Sequence, residues 1–118
     1  MNNNKIVWIL RIAVAGEFLG HGALAVGGKA QWIGWIGKML SVDAATAGTI
    51  LLVVGLMDIL LALLVLWKPI RPLLLWMAVW GFWTALVRPI MGESIWDFIE
   101  RFANWGAPLV LYYLTPKK

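Results

Sequence analysis

Four long apolar segments constrain the fold of this chain more than any other feature of its sequence. They cover residues 5–26, 45–67, 72–90 and 95–114. A helix needs about 20 mostly apolar residues to cross the hydrocarbon core of a bilayer. Charged residues make up only 14% of the chain, whereas soluble domains contain roughly 25%. The 118 residues are therefore predicted to form a single transmembrane domain of all-α class, an integral membrane antiparallel four-helix bundle.

Residues that cap or stop helices mark the breaks between these segments. They are Ser41-Val42-Asp43, Lys68-Pro69, Pro72 and Thr115-Pro116. A Ser or Asp before an apolar run favours a helix start, and proline is suited to a first turn but not to a helix interior. These signals support helices with short connections, which antiparallel neighbours require.

The segment 27–40 is too polar and too short to cross a bilayer. It contains Trp32 and Trp35 among other apolar residues, with Gln31 and Lys38 beside them. Tryptophan is favoured at the membrane–water interface. We expect a short interfacial helix or a re-entrant turn between the first and second spans. It would act either as an anchored loop or as a lid over a site beneath it.

The distribution of cations predicts the orientation of the bundle. Four spans would place both termini and the loop at 68–71 on one side, with the cations Lys5, Lys68, Arg71, Lys117 and Lys118. The positive-inside rule puts that side in the cytoplasm of a bacterial-type inner membrane. The N-terminus resembles the start of a signal peptide, but no cleavage motif follows the apolar core. The first helix is expected to remain uncleaved.

Ionisable residues inside the predicted spans define the candidate site. A charge at the bilayer centre costs at least about 2.5–3.5 kcal/mol, and such residues are usually functional. Glu17 and His21 share a helix face by their i, i+4 spacing, and Asp58 lies at mid-span. A polar stripe is expected on the fourth helix, including Asp97. The candidate residues for ligand binding or proton relay are Glu17, His21, Asp58, Arg88, Glu100, Arg101 and Asn104.

Histidine titrates near neutral pH, which suits proton transfer or hydrogen bonding to a quinone carbonyl. For the charged residues around Arg88 and on the fourth helix, the alternative to a functional role is a structural one, in which they form ion pairs that hold helix ends. A structural ion pair is expected between Arg11 and Asp58, which lie at similar depths.

Two spacings on the first and third helices have a packing interpretation and a functional one. Gly16 and Gly20 form a GxxxG spacing, which permits close helix approach. Trp76, Trp80 and Trp83 recur at i, i+4 and i+7. The tryptophans either pack in the bundle or form an aromatic lining for a flat head group.

The absence of cysteine and the single histidine exclude several kinds of chemistry. Thiol catalysis and cysteine-ligated metal or iron–sulfur sites are excluded, and no metal site or covalently bound cofactor is predicted. The net charge of +4 is too small and scattered to indicate nucleic-acid binding. No serine-triad or phosphate-loop motif is present, so no catalytic residue is assigned.

Two motifs of the first two spans resemble the DoxX-like family of small four-helix membrane proteins. They are Arg11 followed by Gly16-Glu17-Phe18-Leu19-Gly20-His21-Gly22, and Gly55-Leu56-Met57-Asp58. The second half differs from the usual family pattern at Trp80–Pro89 and Glu100–Pro108. The family includes a small subunit of a thiosulfate:quinone oxidoreductase and membrane partners of redox enzymes. The resemblance therefore implies a redox-linked membrane subunit.

Three functions remain open at this level. The first is a membrane subunit or binding module whose polar pocket holds a quinone or another amphipathic ligand, with a partner protein supplying any enzymatic redox centre. The second is a homodimeric transporter or channel for protons or a cation. The third is a structural subunit of a larger membrane assembly. All three predict contact with membrane lipid and either a homo-oligomer or a membrane complex.

Overall fold

The computed structural model describes residues 3–116, and all regular structure in that range is helical. The helices are α1 (Asn3–Val26), α2 (Ala30–Leu40), α3 (Ala44–Trp67), α4 (Arg71–Ile90), α5 (Ile95–Ile99) and α6 (Ala103–Leu114). The predicted all-α class is confirmed. Lys117 and Lys118, on which the predicted orientation partly depends, lie outside the described residues, as do Met1 and Asn2 of the predicted leader-like segment.

Three helices, α1, α3 and α4, are long and apolar enough to cross a membrane. They end at Val26, Trp67 and Ile90, the last residues of the first three predicted spans. Their outward faces are covered by large apolar side chains such as Ile9 and Val53. A soluble protein of this size would expose less apolar surface in continuous patches. These features are consistent with a multi-pass membrane protein.

The predicted fourth helix is divided into α5 and α6 by a turn at residues 100–102. The amide nitrogens of Arg101 and Phe102 bond to carbonyl oxygens three residues earlier, at 3.1 and 3.2 Å. Adjacent side chains do not face each other on an α-helix, but the turn brings Glu100 and Arg101 into a 2.8 Å salt bridge. The polar stripe expected on one continuous helix face is therefore not formed.

Local capping explains where α3 begins. The Asp43 carboxylate accepts a 2.7 Å hydrogen bond from the backbone N–H of Thr46, which satisfies one of the free donors at a helix N-terminus. Hydrogen bonding by the Thr46 side chain and backbone lowers the pKa of the Asp43 carboxyl. Pro72 lies in the first turn of α4, as the sequence predicted.

Close approach of α1 and α3 depends on two glycines that face each other. A methyl group built on Gly22 would lie 2.9 Å from the carbonyl oxygen of Gly55, and the reverse distance is also 2.9 Å. Gly16 and Gly20, by contrast, have no described atom within 4 Å of such a methyl group. The expected packing role of the GxxxG spacing is therefore wrong within this chain, because Gly22 lies on a different face of α1 from these two residues.

A second close approach joins α4 to α6. A methyl group on Gly81 would overlap the backbone carbonyl of Asn104. This carbonyl cannot accept its usual helical hydrogen bond, because Pro108 has no N–H. Gly81 thus lets α4 pack directly against the irregular first turns of α6.

The main cluster of buried apolar side chains lies in one half of the bundle. It is formed by Val14, Ala15, Phe18, Leu61, Ala62, Val65, Leu74, Met77 and Leu111. These residues lie at the end of the bundle where α3 ends and α4 begins. Over their whole length, α3 and α4 contact each other much less than α1 contacts α3 or α4 contacts α6. The bundle therefore opens between α3 and α4, beneath α2.

Candidate ligand-binding cavity

A cavity of about 570 Å³ occupies the half of the bundle that the core leaves open. It lies between α1, α3 and α4, and α2 covers it. Most of the lining is apolar, and its polar or aromatic members are His21, Trp32, Trp35, Asp58, Trp80, Trp83 and Thr84. Ligand sites typically have this size, with an apolar wall and a few polar groups.

The floor of the cavity contains a buried carboxyl group. Asp58 is 5% exposed and lines the cavity. The Trp80 indole lies beside this carboxyl, but neither Asp58 Oδ1 nor Trp80 Nε1 has a hydrogen-bond partner of normal geometry among residues 3–116. Buried polar atoms are nearly always paired in folded proteins, so this acceptor and this donor are available to a bound molecule.

The roof of the cavity is formed by α2. Trp32, Trp35, Ile36 and Met39 point into the cavity from this helix, at the i, i+3, i+4, i+7 spacing of an amphipathic face. Trp32 meets the His21 ring edge-on, with 5.7 Å between centroids. Its Nε1 is buried and unpaired within the described part of the chain. The site predictions omitted these four residues, although their spacing was visible in the sequence.

The two ionisable residues predicted on one face of α1 have different positions relative to the cavity. His21 lines it, whereas Glu17 lies one turn away and is half-buried. Glu17 is nevertheless within electrostatic range of the Asp58 carboxyl. The structure thus brings Glu17, His21 and Asp58 into one region of the bundle, from two different helices.

Arg88 is buried beside the cavity but does not line it. It is 7% exposed, and its Nε has no hydrogen-bond partner in the range that the structure describes. Its guanidinium carbon lies 5.3 Å from the ring centroid of Trp35 and 5.8 Å from that of Trp32. The guanidinium therefore packs against the two indoles of the roof.

The remaining predicted site residues lie outside the cavity. Glu100 and Arg101 form their salt bridge at the protein surface, and Arg101 also donates a 2.8 Å hydrogen bond to the Asp97 carbonyl. Asn104 contributes its backbone to the contact with Gly81. None of the three lines the cavity, because the turn at 100–102 removes them from a common helix face.

Two of the three stripe tryptophans line the cavity. Trp80 and Trp83 form part of the α4 wall. Trp76 does not reach the cavity but stacks on Trp80, with centroids 5.6 Å apart and ring planes 24° apart. The stripe thus combines the two roles considered for it, lining and packing.

The predicted ion pair between Arg11 and Asp58 is wrong. Arg11 Nε donates a 2.9 Å hydrogen bond to the Val65 carbonyl, and Nη2 donates to the Leu66 carbonyl. The last carbonyls of a helix have no partner within that helix. The Arg11 guanidinium therefore forms hydrogen bonds with the end of α3 and not an ion pair with Asp58. The Arg11 guanidinium also stacks on Trp8, at 3.8 Å from the ring centroid.

The chemistry available at the cavity is binding and proton exchange. Across residues 3–116, no group of three or more His, Asp or Glu side chains is placed to hold a metal ion. Comparison of the chain with protein-family models, curated proteins and solved structures gives no significant match. The fold and cavity define an all-helical protein with three helices able to span a membrane, and membership of the DoxX-like family stays a prediction.

Proposed function

We propose that this chain is a small membrane protein that binds an amphipathic, quinone-like molecule in the cavity beneath α2. The observation that supports this most is Asp58, whose Oδ1 is buried and unpaired, among the described residues, at the floor of a mainly apolar cavity. A buried carboxyl without a partner lowers the stability of the fold. A ligand that hydrogen-bonds to it would remove that cost.

The groups around Asp58 favour a ligand with a flat polar head. Trp80 and Trp83 offer aromatic surfaces, which attract planar rings by stacking or edge contacts. The indole N–H of Trp80 can donate to a carbonyl oxygen, while the Asp58 carboxyl accepts from a hydroxyl or, when protonated, donates to a carbonyl. A quinone or quinol head group meets these requirements.

The opening of the cavity favours entry from the lipid phase. Leu40, Trp83 and Ile90 line the cavity and are also exposed on the surface of the bundle. They lie around the opening between α3 and α4, and all three side chains are largely apolar. A lipid-soluble molecule could thus enter without crossing water.

In the membrane arrangement that we propose, α5 and α6 together make the fourth crossing. The 12 residues of α6 would span only about 18 Å, less than the roughly 30 Å hydrocarbon core. The turn and α5 would supply the rest, with α2 in the interface and both termini in the cytoplasm of a bacterial-type inner membrane. The cations Lys5, Lys68 and Arg71 support that orientation.

We also propose that the protein acts as a subunit of a redox-linked membrane complex or as a homo-oligomer. This part of the proposal is supported by the resemblance of the first two spans to the DoxX-like family. A ligand-binding chain of this kind would depend on a partner protein for electron transfer.

The proposal is tested by ligand-dependent thermal stabilisation of the purified protein in mild detergent. Decylubiquinone at about 100 times its dissociation constant should stabilise the folded state by about 2.7 kcal/mol. Asp58→Asn should reduce this shift by at least half, because the amide has neither the negative charge of the carboxylate nor the O–H of the protonated carboxyl. Asp43→Asn is the matched control, since Asp43 lies outside the cavity and asparagine also caps helices.

Equal shifts in the Asp58→Asn and Asp43→Asn proteins would remove Asp58 from the site. No shift with decylubiquinone, and no lipid-like molecule copurifying by mass spectrometry, would rule out the binding function itself.

A second candidate function, proton transfer through the bundle, is favoured by the proximity of the Glu17 and Asp58 carboxyls. Neighbouring acids inside a membrane often form proton relays. Proton flux into proteoliposomes that is lost in Glu17→Gln would support this function over ligand binding. The absence of flux in the unmodified protein would eliminate it.

A further inference from the structure

The position of α2 over the cavity depends on few contacts. The helix packs mainly against α3, and none of its residues is fully buried. The flanking residues Gly28 and Ser41 adopt positive φ angles of 75° and 55°. Segments with few buried contacts open locally at low free-energy cost. The roof therefore needs a specific attachment on the side facing α4.

We propose that Arg88 is a positioning residue that holds α2 over the cavity through the indoles of Trp32 and Trp35. A guanidinium is attracted to the face of an indole ring, most strongly where water is excluded. Arg88 is 7% exposed, and its carbon Cζ lies 5.3 and 5.8 Å from the two ring centroids. Both tryptophans also line the cavity, whereas Arg88 does not. Arg88 thus acts on the ligand site through α2, not by touching the ligand.

The charges around Arg88 explain how a buried cation can serve this role. Three acids, Asp97, Glu93 and Glu100, lie within electrostatic range of it, and so does one like charge, Arg101, which forms its salt bridge with Glu100. No carboxylate in the described range lies within salt-bridge distance of its guanidinium. The acids therefore offset the charge while leaving the flat faces of the guanidinium free for the indoles. Lysine could replace the charge but not the planar group.

Two other contacts of Trp32 show why Arg88 is needed. Lys29 Nζ lies 4.7 Å from the Trp32 ring, but Lys29 directly precedes α2 and moves with it. His21 attaches Trp32 to α1. Arg88 alone among these residues connects the roof to α4, across the opening of the cavity.

The test uses the absence of cysteine from the natural chain. A single cysteine introduced as Val54→Cys lies in the cavity wall beneath the roof, so its rate of labelling by a water-soluble maleimide reports opening of α2. Adding Arg88→Gln should raise this rate about tenfold, which corresponds to about 1.4 kcal/mol of lost cation–π attraction. Arg88→Lys should give a smaller rise. Thr49→Cys, an exposed position on the same helix, is the control.

An unchanged Val54→Cys rate in the Arg88→Gln background would overturn the proposal. An equal rise at Thr49→Cys would also overturn it, because the change would then reflect general unfolding. If Arg88→Gln does not fold, Trp35→Phe provides the second variant, with a rise of about threefold expected from its weaker cation–π partner. No rise in that variant would contradict the role of the indole contact.

The relevance of this role to ligand binding rests on the proposed function, and the same assay separates the two. Decylubiquinone should slow labelling of Val54→Cys in the presence of Arg88. Protection by the quinone without an effect of Arg88→Gln would reject the positioning role and retain the binding function. An effect of Arg88→Gln without protection would reject quinone binding and retain the positioning role.

Discussion

Replacing Gly22 by alanine tests whether α1 and α3 are held together by close backbone contact. The added methyl group would lie 2.6 Å from Ile59 Cγ1 and 2.9 Å from the Gly55 carbonyl oxygen. The Ile59 side chain can rotate away, but the carbonyl is part of the α3 backbone. The helices would therefore have to separate by a few tenths of an ångström, which also loosens the contacts beside the cavity floor.

The expected magnitude follows from two opposing effects. Overpacking of a tight contact costs about 1–3 kcal/mol. Replacing glycine by alanine within a helix stabilises the fold by about 0.5–1 kcal/mol, because alanine loses less conformational freedom on folding than glycine does. We therefore expect Gly22→Ala to lower the free energy of unfolding by about 1 kcal/mol, within limits of roughly 0 and 2.5 kcal/mol.

Gly20→Ala is the matched control, two residues away in the same helix. No described atom lies within 4 Å of its added methyl group, so only the favourable helix effect applies. Its free energy of unfolding should be unchanged or should rise by up to about 1 kcal/mol. SDS titration of the protein in mild detergent, followed by the near-ultraviolet circular dichroism of its tryptophans, measures both variants.

Equal losses of stability in Gly22→Ala and Gly20→Ala would refute this reasoning. They would show that the outward face of α1 is as tightly packed as the inward face, for instance against a second copy of the chain. A gain in stability for Gly22→Ala would show that the crossing of α1 and α3 adapts at no cost.

Two further predictions concern the attachments at the ends of the bundle. Arg11→Gln should lower the free energy of unfolding by about 1.5–3 kcal/mol, because charged hydrogen bonds to the end of α3 are lost. The changes in free energy caused by Arg11→Gln and Asp58→Asn should be additive in the double variant, whereas strong coupling between them would support the rejected ion pair. Asp43→Ala should lower the thermal midpoint at neutral pH, and Asp43→Ser should preserve it. The stability that the Asp43 carboxylate adds is present above the unfolded pKa of this group and is lost as the pH falls through its lower folded pKa. A difference in thermal midpoint between the unmodified protein and Asp43→Ala that persists in acid would contradict the capping role.

The sequence alone determined the three long helices that are apolar enough to cross a membrane. The length requirement of the bilayer and the local stop signals are properties of neighbouring residues, so the ends of α1, α3 and α4 could be predicted at Val26, Trp67 and Ile90. It also placed Glu17, His21 and Asp58 at neighbouring depths, because depth in a membrane follows from position along a helix.

Only the tertiary structure decided which way each helix faces. A lipid-facing residue and a core residue are equally apolar, so periodicity does not distinguish the two faces of α3. The sequence therefore identified Gly16 and Gly20 as packing residues, whereas Gly22 meets Gly55. Rotation about the helix axis also directs Arg11 to the carbonyls at the end of α3 and places Arg88 against the roof of the cavity, since these positions depend on partners distant in the chain.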